Sequence, residues 1–532
     1  MKAYLGIDVG TGSARAGVFD ETGRMLGTAA CDLDLIRPGH DHAEYRSAQI
    51  WEAVGRASRE ALSRAGSVEV HGIGLDATCS LVAVGSGGVS RTDDPDIDSI
   101  AWLDHRAIPD AQAIDATGHE VLAYVGGSVS AEMQMPKLRW LHRTYPERMA
   151  GAEFFDLPDW LTFMATGSRT RSICSAVCKW LYQADKGVSG EGWDAAFLDR
   201  IGLKALARDD FAAIGQRFAA PGAAVGAVTP DAARHLGVPA GVKVSASLID
   251  AYAGALGALL AGDGGDAEGR LSLIAGTSAC HIVLTDDPVF VSGVWGPYLG
   301  ALLPGTRALE AGQSAAGALL DRLVEGHAAA ASAREAALAD GMSLYARLSD
   351  RIERMAPDGD SHRLTADLHV QPDFLGNRAP LADPTRRGAV TGLTLAMDED
   401  DLARLYLAGI QALAHGTRQM IEAMRAEGVT ISALVVSGGL AHSALYVREH
   451  ADVCGLPVIV PAAEEPVLLG SAMLGRAAAT DGNLETAMAA MSGAADRVEP
   501  RPETRVFHDA KHRVFLRMQK DFADYSKEMQ SA

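Results

Sequence analysis

Apolar positions run almost unbroken from Tyr4 to Val9, interrupted by one carboxylate, Asp8, and then by Gly10-Thr11-Gly12-Ser13. A second apolar run, Ala14 to Phe19, ends in the turn residues Asp20-Glu21-Thr22-Gly23. This pattern predicts a buried strand, a glycine turn and a returning strand. The outline recurs at 271–287, where Gly276-Thr277-Ser278 stands between two apolar runs and Ile274 occupies the place of Asp8. Such self-similarity predicts a duplicated fold with two facing hairpins. Period-3.6 patterns predict helices over 43–65, 136–143, 157–167, 402–425 and 468–479, with a closing helix in the tail from 501. Strands are predicted over 68–75, leading into Asp76-Ala77-Thr78-Cys79-Ser80, over 242–249, leading into Asp250, and over 433–436, leading into Ser437-Gly438-Gly439. The stretch 310–317 reads as a polar loop opening an alanine-rich helix, and 328–339 as an exposed helix. The acidic, glycine-rich 262–269 reads as a turn at a domain boundary.

Glycines at a turn let backbone N–H groups approach an anion closely, and Thr11 and Ser13 add hydroxyl donors. A carboxylate on a buried strand costs several kcal/mol unless it is paired or metal-associated. The first hairpin therefore reads as a phosphate cradle with Asp8 facing a divalent cation, or as an ordinary hairpin whose aspartate caps a turn. Two Gly-Thr turns meeting across a cleft would hold a polyphosphate between them. Trp102, Asp104 and Arg106 place a flat apolar surface, a carboxylate and a cation within five residues. That suits a polyhydroxylated ligand, or equally a core tryptophan beside a surface ion pair. Lys179 is a lone lysine among aromatic and small residues. Asp250, at a strand-to-helix junction, is either a helix cap or a catalytic carboxylate, and the first does not exclude the second.

Composition narrows the classes. A chain of 532 residues exceeds what one core organises, so at least two domains are expected. With 48% hydrophobic and 22% charged residues it reads as a soluble globular protein. The formal charge of −20 argues against a nucleic-acid partner. No secretory signal is read at the N-terminus, and the apolar stretch 251–261 is too short to span a bilayer, so a cytoplasmic protein without membrane contact is expected. Cys174 and Cys178 lie one helical turn apart, but no further ligands complete a tetrahedral set, so the six cysteines read as reduced thiols. No Gly-Lys pair exists, which removes the Walker P-loop, and neither G-x-S-x-G nor H-E-x-x-H occurs.

The segments LGIDVGTGSARAGVFD, IAGTSACHIVLT, VVSGGLAHSALYVREHADVCGLPV and LLGSAMLG resemble the FGGY carbohydrate kinases of the actin-like ATPase superfamily. Within that family DATCSLVAV, WLDHRA, RSICSAVCKWLYQ, GVWGPY and LHVQPDFLGNRAPLADP resemble the D-ribulose kinase branch. The resemblance implies an α/β chain of two duplicated ribonuclease-H-like domains, 1–262 and 270–532, with ATP and sugar in the cleft between them. It implies Asp250 as catalytic base, Asp8 and Asp250 at Mg²⁺, and Gly10, Thr11, Gly12, Ser13 and Arg15 as one phosphate loop. Gly276 and Thr277 would form the other, with Gly312, Gln313, Gly438, Gly439 and Ser443 near the adenosine. Thr78, Cys79, Trp102, Asp104, Lys179 and Glu310 would face the sugar. Ser443 stands where many relatives carry asparagine, and a serine cannot make the same paired amide contacts.

The expected activity is ATP-dependent phosphorylation of D-ribulose at its terminal hydroxyl. A related substrate (ribitol, xylulose or L-ribulose), an actin-like ATPase switch and a catalytically dead sugar sensor are the alternatives. The resemblance allows a homodimer, on which the residues themselves are silent.

Overall fold

The computed structural model describes residues 1–532 apart from 93, 263–266, 481 and 532. Two seven-stranded mixed sheets carry the chain, one in each half. In the first, Met25–Asp32, Ser13–Phe19, Lys2–Val9, Glu69–Ala77, Lys243–Ser245 and Ala224–Ala227 lie side by side, and Leu248–Ile249 pairs with the end of Glu69–Ala77. In the second the order is Arg307–Gln313, Ala279–Thr285, Arg270–Ala275, Ala433–Ser437, Val458–Pro461 and Ala495–Val498, with Trp295–Leu299 outside Arg307–Gln313. Strand directions match one for one: two antiparallel pairings, two parallel ones, then an antiparallel edge. The duplication anticipated from the two Gly-Thr turns is thus present in full topology. Asp8 lies opposite Asp76 in the first sheet, and Ile274 lies opposite Ser437 in the second. Only the first half keeps carboxylates at these positions.

The halves interlock through two helices. Asp250–Ala258 leaves the first sheet and packs on the second, while Pro466–Ala479 leaves the second and packs on Lys2–Val9 and Glu69–Ala77. The two also pack on each other, and small residues set how closely. A Cβ on Gly257 would lie 1.9 Å from the Pro466 carbonyl oxygen, and one on Gly470 would lie 2.0 Å from that of Ala253. No larger residue allows that approach.

Several boundaries differ from expectation. The first helix begins at Ser47, because Glu44–Tyr45 pairs as a short strand with Ser99–Ile100 and buries Glu44 against Arg106. Glu310 to Gln313 is not a loop but the end of the strand Arg307–Gln313. The strand foreseen over 242–249 is interrupted at Ala246-Ser247. The 328–339 stretch is helical over Ala330–Ala339 yet buries Ala330, Ala333 and Ala337. Part of the glycine-rich 262–269 segment lies outside the described residues. All six cysteines are free thiols. Among the described residues no helix is long and apolar enough to cross a membrane.

Candidate active site

Asp8 sits on a strand buried on both faces, with 1% of its surface exposed. Its carboxylate accepts from Arg15 Nε at 2.7 Å, and the same guanidinium donates to Glu465 Oε2 at 2.9 Å. Asp76, its neighbour across the sheet, is wholly buried and accepts from the Ser471 hydroxyl at 2.5 Å. Burial first, and then the adjacent Asp8 charge, raises the Asp76 carboxyl well above its usual range.

The turn between the first two strands is closed by the Gly10 N–H donating to Ser13 O at 3.0 Å. Its twin is closed by the Gly276 N–H donating to Ser278 O at 2.9 Å. Thr11 is fixed from behind: Tyr45 OH donates to its carbonyl at 2.7 Å and Trp102 Nε1 to its hydroxyl at 2.9 Å. The second turn is backed by Ala316 and Gly317, whose N–H groups donate to Thr277 O and Gly276 O, both at 2.9 Å. A Cβ on Gly12 or Gly439 would meet nothing within 4 Å, and one on Gly276 would come no nearer than 3.9 Å to Ser278 O. These glycines border open space that side chains would fill, which suits a triphosphate and its nucleoside. Gly438, with φ of +87°, is needed for another reason: its Cβ would lie 2.6 Å from Ala275 O.

Gly312 and Gln313 line a small cavity with Asn377, Arg378, Gly416 and Phe515. Gln313 Nε2 donates to Leu413 O at 2.8 Å, leaving its Oε1 buried without a protein partner. Ser443 caps the helix Ala444–Cys454, accepting from the Tyr446 N–H at 3.3 Å, which explains a serine there on local grounds.

Among the residues expected to face the sugar, Lys179 Nζ lies 3.7 Å from Glu310 Oε1 and 4.6 Å from the centre of the Trp295 ring. Burial, the largest single influence, opposes the charge on Lys179, but Glu310 together with the smaller contributions of Cys79, Cys178 and Glu132 holds the ammonium above its ordinary value. Glu310 Oε2 also accepts from Tyr252 OH at 3.1 Å. Burial pushes the Cys79 thiol up to about 12, so it stands as a neutral group beside that pair. The Thr78 N–H donates to Val9 O at 2.9 Å and its hydroxyl lies 3.3 Å from that of Ser80.

Asp250 opens the helix Asp250–Ala258 and is partly exposed, unlike Asp8 and Asp76. Burial and then the Asp8 charge push its carboxyl up to about 6, against the Ala251 N–H, which donates to it at 2.8 Å, and against Lys179. A carboxyl with that value is largely ionised at neutral pH.

Asp104 departs from the expected sugar contact. It is fully buried, and its two oxygens already accept from Arg106 (backbone N–H, Nε and Nη2) and from the Ala43 N–H at 2.6 Å. Four donors saturate a carboxylate, so Asp104 holds the Trp102 segment in place rather than offering a free acceptor. The Asp104–Arg106 pair is also not the surface pair considered as the alternative.

Sequence reasoning missed Asp76, Glu132, Trp295 and Arg378 as site neighbours. Arg378 Nη2 lies 3.5 Å from Glu132 Oε1, and its guanidinium stacks 5.8 Å from the Trp295 ring. Its setting in Gly376-Asn377-Arg378-Ala379-Pro380, a turn-rich stretch, was the available signal; Glu132 carried none.

Among the described residues no group of three or more His, Cys, Asp or Glu is gathered so as to hold a metal alone. The Asp8 charge nonetheless acts on Asp250, and both carboxylates offer hard oxygens. That donor set fits Mg²⁺, which is bound through one or two carboxylates together with substrate phosphates.

Comparison with known proteins bears on the family and the fold. Residues 3–257 match the N-terminal domain, and 271–479 the C-terminal domain, of the FGGY family of carbohydrate kinases. The chain is 44% identical over 98% of its length to a human FGGY carbohydrate kinase domain-containing protein, covering 97% of it. It is 38% identical to a D-ribulokinase of Saccharomyces cerevisiae, over 90% of this chain and 72% of that one. A xylulose kinase from Rhodospirillum rubrum shares its fold with a TM-score of 0.80 at 23% identity, covering 98% of this chain and 99% of the other. The chain therefore belongs to the FGGY family of carbohydrate kinases.

Proposed function

We propose that this carbohydrate kinase transfers the γ-phosphoryl group of ATP to the terminal hydroxyl of a ketopentose, with D-ribulose as the preferred acceptor and Asp250 as general base. The observation that carries this reading is the placement of Asp250 at the start of its helix, directly after the short strand that pairs with Asp76-Ala77, within the electrostatic reach of Asp8, Lys179 and Glu310. The likeness to a yeast D-ribulokinase supports the choice of acceptor.

In this mechanism the turns at Gly10–Ser13 and Gly276–Thr277 hold the phosphates from opposite sides through backbone N–H groups. Arg15 and the hydroxyls of Thr11 and Ser13 add donors. Gly438, Gly439 and the Gly312–Gln313 strand end border the adenosine. Lys179, Glu310, Cys79 and Thr78 orient the sugar over Trp102 and Trp295, while Asp104 keeps Trp102 in place. Asp250 accepts the proton of the attacking hydroxyl as its oxygen bonds to the γ-phosphorus and ADP departs. Asp8 and Asp250 would hold Mg²⁺, which would supply charge neutralisation at the phosphates. Closing the cleft on sugar excludes water, so ATP hydrolysis without sugar is slow.

A coupled ADP-release screen over ketopentoses, aldopentoses and pentitols with Mg-ATP tests the proposal. The highest kcat/KM is expected with D-ribulose. A clear preference for ribitol, xylulose or L-ribulose would replace the acceptor, and a fast sugar-independent ATPase would overturn the mechanism.

A further inference from the structure

Two carboxyls that no step above uses are buried behind the acceptor side. Asp156 ends the strand Glu153–Asp156, and Asp159 lies in the first turn of the helix Leu157–Thr166 that follows. They are 0% and 3% exposed. Asp156 occupies the N-cap of its own helix, where an aspartate ordinarily accepts from the helix's first N–H groups. It makes no such bond. Its Oδ2 instead accepts from Trp180 Nε1 and from Gln134 Nε2, both at 2.9 Å, and Gln134 donates also to Cys79 O at 3.0 Å. Trp180 directly follows Lys179, so this one oxygen grips the chain beside two of the proposed sugar-side residues.

Asp159 acts at the other end of the same short helix. Its Oδ1 accepts from the Ser172 N–H at 2.7 Å and from the Ser247 hydroxyl at 3.1 Å. Ser172 caps the helix Ile173–Lys179, and its hydroxyl donates to Ser247 O at 2.6 Å. Ser247 sits in the break just before Leu248–Ile249, which delivers Asp250. Both ends of the helix bearing Lys179, the Cys79 backbone and the approach to Asp250 are therefore tied to one strand-to-helix junction.

We propose that Asp156 and Asp159 are positioning residues of the acceptor site, which fix Lys179, Cys79 and Asp250 relative to one another and so set the affinity for the sugar. This rests on the function proposed above. Stability alone does not explain them. Buried carboxyls disfavour folding unless fully paired, and apolar substitutes of similar volume are often as stable or more so. Asp156 Oδ1 has no protein partner, and burial pushes its carboxyl up to about 7 and that of Asp159 up to about 6. What the pair provides is directed hydrogen bonds to groups that must stand within about half an ångström of a working geometry.

The test is Asp156→Leu, a substitution of similar volume, with Trp180→Phe as a second variant that removes the indole donor and keeps an aromatic side chain. Leucine accepts from neither Gln134 nor Trp180, which both reach the single oxygen Oδ2. The sugar KM is expected to rise about tenfold or more in each variant, the ATP KM to change less than about twofold, and Tm at pH 8 of Asp156→Leu to stay level or rise. The Trp180 indole N–H resonance should move in Asp156→Leu. An active protein whose variants keep the parent sugar KM, or lose sugar and ATP affinity together with Tm, overturns the proposal. A parent protein that phosphorylates no ketopentose or pentitol overturns instead the function on which it rests.

Discussion

Ser471, on a helix from the second half of the chain, donates a 2.5 Å hydrogen bond to Asp76, the sheet partner of Asp8 in the first half. The residue preceding that helix, Glu465, pairs with Arg15, which itself pairs with Asp8. The helix Pro466–Ala479 and the residue before it thus reach both buried carboxyls of the first sheet, Asp76 directly and Asp8 through Arg15. The approach depends on Gly74, where a Cβ would lie 1.8 Å from Ser471 O.

Gly74→Ala is accordingly expected to force the helix outward and to destabilise the protein by about 1–3 kcal/mol, the range for overpacking a close contact. Urea unfolding at pH 7 measures it. An unchanged midpoint would mean that the helix is not held at this distance.

Gly12 provides the contrast. Its added Cβ meets nothing within 4 Å, and its φ lies outside the left-handed region. Gly12→Val should leave the unfolding midpoint within about 0.5 kcal/mol, as surface changes usually do. The same side chain would occupy the proposed phosphate cradle, so the ATP KM should rise about tenfold, the effect of losing about 1.4 kcal/mol of binding. Steady-state kinetics against ATP decide it.

Glu310 is the main counter-charge of the buried Lys179. Removing one partner of a buried pair leaves the other uncompensated, at a cost of about 3–5 kcal/mol. Glu310→Gln should lower stability by that order and raise the sugar KM, because burial then acts on Lys179 unopposed by its first counter-charge. Thermal unfolding and sugar kinetics on the same preparation test both parts.

The pH profile follows from Asp250. Burial and Asp8 raise its folded value to about 6 from 3.8. A general base works only when ionised, so kcat/KM for the sugar should climb through pH 6 and level off above it. The linkage runs the other way for stability. A carboxyl whose folded pKa is raised favours folding while protonated, so its contribution is full below pH 3.8 and is lost as pH rises through 6. Activity and the Asp250 share of stability should therefore change in opposite directions between pH 4 and 6.

Much of this was legible in the chain because it is local. The two Gly-Thr hairpins, the strand before Asp250 and the Gly438–Gly439 turn are each written in a dozen consecutive residues, and the sheets place them as the duplication implies. Glu310 was noticed, yet its neighbourhood was misread as loop, since Ala-Gly-Gln-Ser after it lacks the β-branched residues that signal a strand. The first helix was begun too early because Glu44–Tyr45 pairs with a strand more than fifty residues away. Asp76, Ser471, Asp156 and Arg378 matter through partners set by the folded topology, which periodicity does not encode. The burial of Asp104 against Arg106 and Ala43 was invisible for the same reason.

The central claim is that Asp250 draws the proton from a sugar hydroxyl while two glycine–threonine turns hold the triphosphate. Single-turnover phosphoryl transfer from Mg-ATP to D-ribulose, compared between the parent protein and Asp250→Asn, tests it most directly, with ATP binding followed by calorimetry. The variant is expected to lose at least about a hundredfold in rate, the share a general base supplies, and to bind ATP with unchanged affinity. A variant that transfers phosphate at nearly the parent rate would contradict the account.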